Sequence, residues 1–336
     1  MFSSEGVVMS TRVFGGVLAA AVAVASLATL SGQTSSRAPR TAWGDPDISG
    51  LFTTDDELGV PFERPAQFGT RQYVTAEEFA QRQTQAVRAE ESDREAFVAP
   101  RAAGAGAAGT GPPNHWIERG RPSRRTSVVI DPPDGRIPFL NDEARRRGAI
   151  AAMRTPEGVN FAGPEELDKY DRCITRGFPH VIFPTIYDNT SQIVQGPGYV
   201  SIRYEMIHDV RVIPIDDAAR RPHVSPKIRS YFGDSRGRWD GDTLVVDVTN
   251  FAKNAGYRGA TTNLHVIEKF RRTDASTVHY ELTVEDPTTF SQPWTAALDL
   301  KKDARQVQVP EYACHEGNYA MFNILSGARA TERSNK

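Results

Sequence analysis

The chain has 336 residues, with 40 Lys and Arg against 42 Asp and Glu, a formal net charge of −2. That balance excludes a general nucleic-acid binder, which would carry a clear basic excess or stripe. With 39% hydrophobic and 24% charged residues the chain is not disordered as a whole, and its length suits one or two domains.

In chain order, Arg12 precedes a small and apolar run from Val13 to Leu30, which exits through Ser31-Gly32-Gln33-Thr34. A positive residue, an apolar stretch and a small polar exit make a secretory signal peptide, placed at 1–33 with Met9 as an alternative start. The competing reading is a membrane anchor, but the run is rich in Ala, Val and Gly. No later segment is long and apolar enough to span a bilayer. The expectation is a periplasmic or secreted protein without a membrane span. Residues 34–46 read as a flexible lead-in to a single domain at 47–330. Asp47 to Thr53 reads as a first strand. From about 55 to 187 the pattern is that of a helical and loop insertion. In it, Thr75-Ala76-Glu77-Glu78 is a capping box for a helix to about Ala96. Residues 99–113 are a low-complexity loop. Arg124 to Ile130 is a strand ended by Pro132-Pro133-Asp134-Gly135. Asn141 caps a second helix, and a third follows Pro164.

After that the chain alternates or clusters β-formers at 192–194, 199–207, 210–215, 243–251, 265–272, 277–285, 294–300 and 307–314. Asp240-Gly241 is a tight hairpin signal. Successive strands with no helix between them predict an antiparallel meander. Such a sheet hides its edges by closing or by pairing with a second sheet. The expected fold is mainly β, an antiparallel lipocalin-like barrel with a β-sandwich as the alternative, carrying the partly helical insertion.

Three phrases carry a resemblance: Asp45-Pro46-Asp47-Ile48-Ser49-Gly50, the run Gly233 to Val246, and Tyr312-Ala313-Cys314-His315-Glu316-Gly317-Asn318-Tyr319. They resemble recurring motifs of an uncharacterised family of exported bacterial proteins. Gly50-Leu51-Phe52 is loosely similar to the first strand of lipocalin-like barrels. The resemblance implies export and a shared fold, and transfers no catalytic roles.

The two cysteines, Cys173 and Cys314, are 141 residues apart with no metal-ligand spacing. In an exported protein a disulfide is the leading reading. Two buried thiols, or a nucleophilic Cys314 beside His315, are the alternatives. No phosphate, dinucleotide or metalloprotease motif is present; Gly104 to Gly109 spells GxGxxG without its strand and helix. No cofactor is expected, and a divalent metal would have to gather ligands from several strands. Chemistry must therefore come from scattered strand residues, sorted by parity. Ser201, Arg203 and Glu205 share one face against Val200, Ile202 and Tyr204. Likewise His279, Glu281 and Glu285 oppose Tyr280, Leu282 and Val284, and Thr243, Val245 and Asp247 oppose Leu244, Val246 and Val248. Either the polar faces meet water and the apolar faces a core, or the polar faces line a pocket and the insertion covers the apolar ones.

On the second reading His315, Glu316, His265, Glu205 and Glu281 are candidate catalytic groups in one pocket, with Arg203 as counter-charge. Asp247, His208, Tyr312, Trp239 and Trp294 are candidate ligand contacts. Carboxyls in unlike environments divide acid and base roles, and an acid orients an imidazole. The expected function is an exported hydrolase, lyase or isomerase on a small organic or carbohydrate substrate. A carrier of a small amphipathic ligand and an envelope-associated interaction module are the alternatives. The oligomeric state is open.

Overall fold

From residue 190 onward β-forming runs become strands, most of them with an alternating apolar side turned inward; at 210–214 Val210 and Val212 face out while Arg211 and Ile213 are buried. The computed structural model describes residues 39–94, 116–152, 161–216, 222–253, 255–316 and 318–334. The signal segment and the low-complexity loop lie outside the described residues. The strands are β1 (Gly50–Thr53), β2 (Val129–Asp131), β3 (Thr190–Gly196), β4 (Tyr199–Tyr204), β5 (Val210–Pro214), β6 (Asp234–Asp240), β7 (Thr243–Thr249), β8 (His265–Arg272), β9 (Thr277–Glu285) and β10 (Trp294–Lys301). They make one 10-stranded sheet in the order β5-β4-β3-β1-β10-β9-β8-β7-β6, with β2 added on β10. All ladders are antiparallel. Pairing of β1 with both β3 and β10 brings the first strand to the middle of the sheet. The ladder order is open: among the described residues the backbones of the outer strands β5 and β6 are joined at a parallel bridge, Ile215 to Gly237, where the Asp216 N–H donates to the Gly237 carbonyl at 3.0 Å.

The parity question has a clear outcome. Val200, Ile202 and Tyr204, then Leu244, Val246 and Val248, then Val278, Tyr280, Leu282 and Val284 are all buried in one core. The polar faces of β4, β7 and β9 point away from it. Two charges break the rule and lie inside: Arg211 on β5 and Glu268 on β8, 3.0 and 2.5 Å apart along two parallel N–H···O bonds. Tyr280 Oη donates to Glu268 at 3.0 Å, Arg211 Nε donates to Ser235 Oγ at 3.0 Å, and the guanidinium lies 4.2 Å from the Phe178 ring centre. A buried ion pair is tolerable only when its remaining bonding capacity is met in this way.

The insertion contains the elements its caps announce. α1 (Ala76–Asp93) begins at Thr75, whose Oγ accepts from Glu78 N while Glu78 returns a bond to Thr75 N. In α2 (Asp142–Ala152), Asn141 Oδ1 accepts from Ala144 N at 2.9 Å. The third expected helix is a single tight turn, Pro164–Glu166. Residues 39–46 of the expected lead-in form a hydrogen-bonded turn with an Arg40–Pro46 bridge. The strand expected at 307–314 is absent: Pro310 has no N–H for a ladder and Val307 is 87% exposed. Instead the chain ends in α3 (Tyr319–Ser334). Cys173 and Cys314 are joined, with Cα atoms 5.8 Å apart, which removes the free-thiol and nucleophile readings. No helix among the described residues is long and apolar enough to cross a membrane.

Candidate functional site

Three neighbouring strands finish at one rim of the sheet. The pairings Thr53 with Thr190 and Ser191 with Tyr204 set the end of β1, the start of β3 and the end of β4 side by side. Each strand carries an acid just past that rim: Asp55, Asp188 and Glu205. Parity groups Glu205 with Ser201 and Arg203 on one face of β4, but β4 stops at Tyr204. Glu205 then takes a helical backbone (φ −65°, ψ −50°), which turns it inward until it is 4% exposed. A fourth acid, Glu118, arrives from the insertion and is anchored by its own N–H to the Ile186 carbonyl at 2.8 Å.

Asn189 ties the acids together. Its Nδ2 donates to Asp55 Oδ1 at 2.9 Å and to Glu118 Oε2 at 3.3 Å, while its backbone N–H reaches the same Glu118 oxygen at 3.2 Å. Its own Oδ1 accepts from Thr185 N at 2.7 Å. Glu205 Oε2 accepts from Thr190 N at 3.1 Å. One oxygen from each of Glu118, Asp188 and Glu205 lies within 4.8 Å of the others. Such crowding of acids away from water resists ionisation. Burial pushes the Glu118 carboxyl up to about 7, and the charges of Asp55 and Glu205 add to it. Burial, and then the charge and carboxyl hydrogen bond of Glu205, push Asp188 up to about 6. All-oxygen donors of this kind could also hold a hard divalent cation.

Glu118 and Asp55 form part of the wall of a cavity of about 880 Å³. Val87 of α1 faces it from the insertion, and the lining mixes cations with acids, Arg121 paired to Asp56 and Arg305 to Asp303. The arrangement can move a proton near neutral pH beside a second carboxyl, in a space the size of a small organic molecule.

The other candidates fall into separate groups. His265 joins Asp247, which also receives His223; the hydrogen bonds of Asp247 and Glu285 hold the His265 imidazole up to about 9. Glu281 lies 3.5 Å from Lys269 and from His279, whose Nδ1 is 2.8 Å from Asp299. His315 and Glu316 are exposed beside the disulfide. Close by, Tyr312 meets the Tyr170 hydroxyl at 2.8 Å, and its carbonyl lies 3.2 Å from His208 Nδ1. Arg203 is half-buried on β4. Trp294 is enclosed in the core against Phe62, Tyr257 and Phe290, and Trp239 packs on the core's edge. The expected meeting of five catalytic groups does not occur: only Glu205 reaches the rim cluster.

Sequence reasoning missed Glu118, Asp188, Asn189 and Asp55, because all four lie in irregular chain where parity says nothing. The one available signal was Asp188-Asn189 before a strand; Asp188 takes a left-handed backbone (φ 61°), which Asp tolerates better than most residues. His223 was missed for the same reason. No family model, no curated protein and no solved structure matches the chain.

Proposed function

We propose that the protein is an exported enzyme using carboxyl acid–base chemistry on a small organic or carbohydrate substrate at the mouth of a lipocalin-like barrel. The reaction is of hydrolase, lyase or isomerase type. The observation that carries this reading is Glu118, poised near neutrality in the wall of the large cavity with Asp55 beside it. A carboxyl titrating at working pH can give and take a proton in one cycle, and two carboxyls in unlike settings can divide those roles. Export is supported by the disulfide, which persists in oxidising compartments, and by the address-like first 33 residues. Barrel-like closure is supported by the bridge between β5 and β6. The three sequence phrases support membership of the exported bacterial family named above. Carriage of a ligand inside the sheet has less support, because Trp294, Tyr204, Tyr280 and Phe270 fill its inner face.

The test is twofold. A ¹³C NMR titration of the mature protein, with the Glu118 carboxyl assigned by Glu118→Gln, should find it titrating near 7; a value in the ordinary range of about 4 to 5 would remove the basis of the reading. A panel of nitrophenyl glycosides, uronides and esters should then contain a substrate whose kcat/KM falls at least about 100-fold in Glu118→Gln, as loss of a general acid–base group predicts.

A further inference from the structure

The rim that gathers the carboxyls also leaves one buried hydroxyl unmet. Thr190 opens β3 and is 1% exposed, and its Oγ1 has no hydrogen-bond partner among the described residues. Its backbone N–H donates to Glu205 Oε2 at 3.1 Å, and the preceding N–H, that of Asn189, donates to Glu118 Oε2 at 3.2 Å. Two of the clustered oxygens thus rest directly on residues 189 and 190. Alternation turns the Thr190 side chain away from Ser191 and Ile193, hence away from the core and to the side of Val194, which is 44% exposed. The cover over the Thr190 hydroxyl therefore comes from the rim, and the hydroxyl is aimed into it. We propose that Glu118, Asp188 and Glu205, with Thr190 Oγ1 as a neutral fourth donor, bind one calcium ion.

Distance and donor type support the assignment. One oxygen from each carboxyl lies within 4.8 Å of the other two, and ligands about 2.3–2.6 Å from a calcium ion stand no more than about 5 Å apart. Magnesium, at about 2.0–2.1 Å, would need the three acids drawn to about 4 Å or less. The set holds no imidazole or thiolate, which disfavours zinc and its neighbours. Paired carboxylate oxygens and solvent complete the shell of about 6–8 oxygens that calcium takes. The three acids come from separate segments of irregular chain, and the larger ion accepts such a loose shell more readily.

Charge agrees. Among the described residues no lysine, arginine or histidine forms an ion pair with Glu118, Asp188 or Glu205. The other deeply placed acid, Glu268, has Arg211 against it, so the rim group stands out as buried negative charge without a counter-charge. A divalent ion supplies that charge, and a lone pair of the Thr190 hydroxyl turns to it. For its consequence the inference rests on the acid–base reading above: an ion that holds Glu118 deprives the cavity of its proton carrier, so calcium switches the chemistry off.

The experiment is calorimetric titration of the tag-free, chelator-treated mature protein with calcium chloride, with ¹⁵N NMR of the backbone amides as a second readout. One ion per chain should bind with a Kd of about 10⁻⁴–10⁻³ M, as in extracellular calcium modules, and magnesium chloride about 10-fold more weakly. Asp188→Asn and Glu205→Gln should each weaken calcium about 10-fold or more, and Thr190→Val about 2- to 10-fold. Thr190→Ser and the distant Glu281→Gln should leave it unchanged. In the unaltered chain the amides of 188–190 and 205 should shift with calcium, which decides the matter even if a variant fails to fold. No heat and no shift at about ten times the weakest expected Kd, or shifts confined to other acids, would overturn the proposal. Glu118 is titrated without calcium, so the two readings fail separately. No binding with Glu118 at about 7 removes the ion and spares the acid–base chemistry; binding with Glu118 at about 4 to 5 does the reverse.

Discussion

Glu118 sits at odds with the stability of the fold that holds it. Its carboxyl titrates near 7 in the folded chain and at about 4.3 when unfolded. Between those values the folded state keeps a proton that the unfolded state has released. Stability therefore falls as pH rises from about 4 to 7, and the loss is complete above the folded value. Glu118→Gln should raise folding stability at about pH 8 by roughly 1–2 kcal/mol, a figure discounted for the partly exposed carboxyl, and leave it unchanged near pH 4. Urea denaturation at both pH values reads this directly, and an equal effect at the two would contradict it. Arg211 and Glu268 have the opposite character. Removing one partner, as in Glu268→Ala, leaves a buried charge and should cost about 3–5 kcal/mol. The Arg211→Met, Glu268→Leu pair should recover most of that loss; a double variant as unstable as the single one would show that the charges themselves hold the interior. Glu268 stands in the sequence as an ion between Val266 and Phe270 on one parity, whereas Arg211 stands between Val210 and Val212, which are apolar yet exposed. Their partnership was not legible, because 57 residues separate them.

At the scale of elements, the strands that were legible are those whose apolar side chains alternate, β3 to β5 and β7 to β10. β6 was hidden because Asp-Ser-Arg-Gly-Arg-Trp-Asp has no such alternation. It forms because the Gly241 turn (φ 59°) folds it onto β7 and because Gly237 leaves space for its neighbours. A Cβ on Gly237 would meet Ile215 at 2.5 Å and Ile213 at 2.9 Å. α3 was missed although Met321, Ile324, Leu325 and Ala328 recur at helical spacing; that stripe is only half-buried, and the strand expected just before it drew the reading. Of the candidate site, only Glu205 was foreseen, and for an argument that fails, since it is the end of the strand and not its pleat that turns the side chain inward. Two glycines at the ends of β6 make a testable contrast. Gly233 has φ 68° and a Cβ there would lie 2.5 Å from the Thr249 carbonyl, whereas Gly241 has φ 59° and open space. Gly233→Ala should lower stability by about 2–4 kcal/mol and Gly241→Asn by under about 1, since Asn accepts the left-handed backbone. Thermal melts of the two variants check this, and equal losses would mean that the Thr249 contact relaxes.

For the whole molecule, the sequence could state that the polar and apolar faces exist but not which is inside. Burial decides it: the apolar faces turn to one core, which Val128, Ile137, Phe178 and Ile182 of the insertion share. The disulfide then ties residue 173 of the insertion to residue 314 beyond β10. By removing loop-closure freedom from the unfolded chain it contributes on the order of 4 kcal/mol.

The junction of β5 with β6 has a further consequence. β9 is laddered on both sides along its length, whereas β5 is laddered to β4 alone and meets β6 at one bridge. Parting the molecule there breaks few backbone bonds, so the first sub-global opening should run along this seam. Hydrogen exchange should release the amides of 210–215 well before those of 277–285; simultaneous release would mean that the two edges hold as firmly as any ladder. Arg211 reaches across the seam to Ser235. Each time the seam breathes, water gains a route to the ion pair behind it, so the driest charges in the protein lie next to its easiest door.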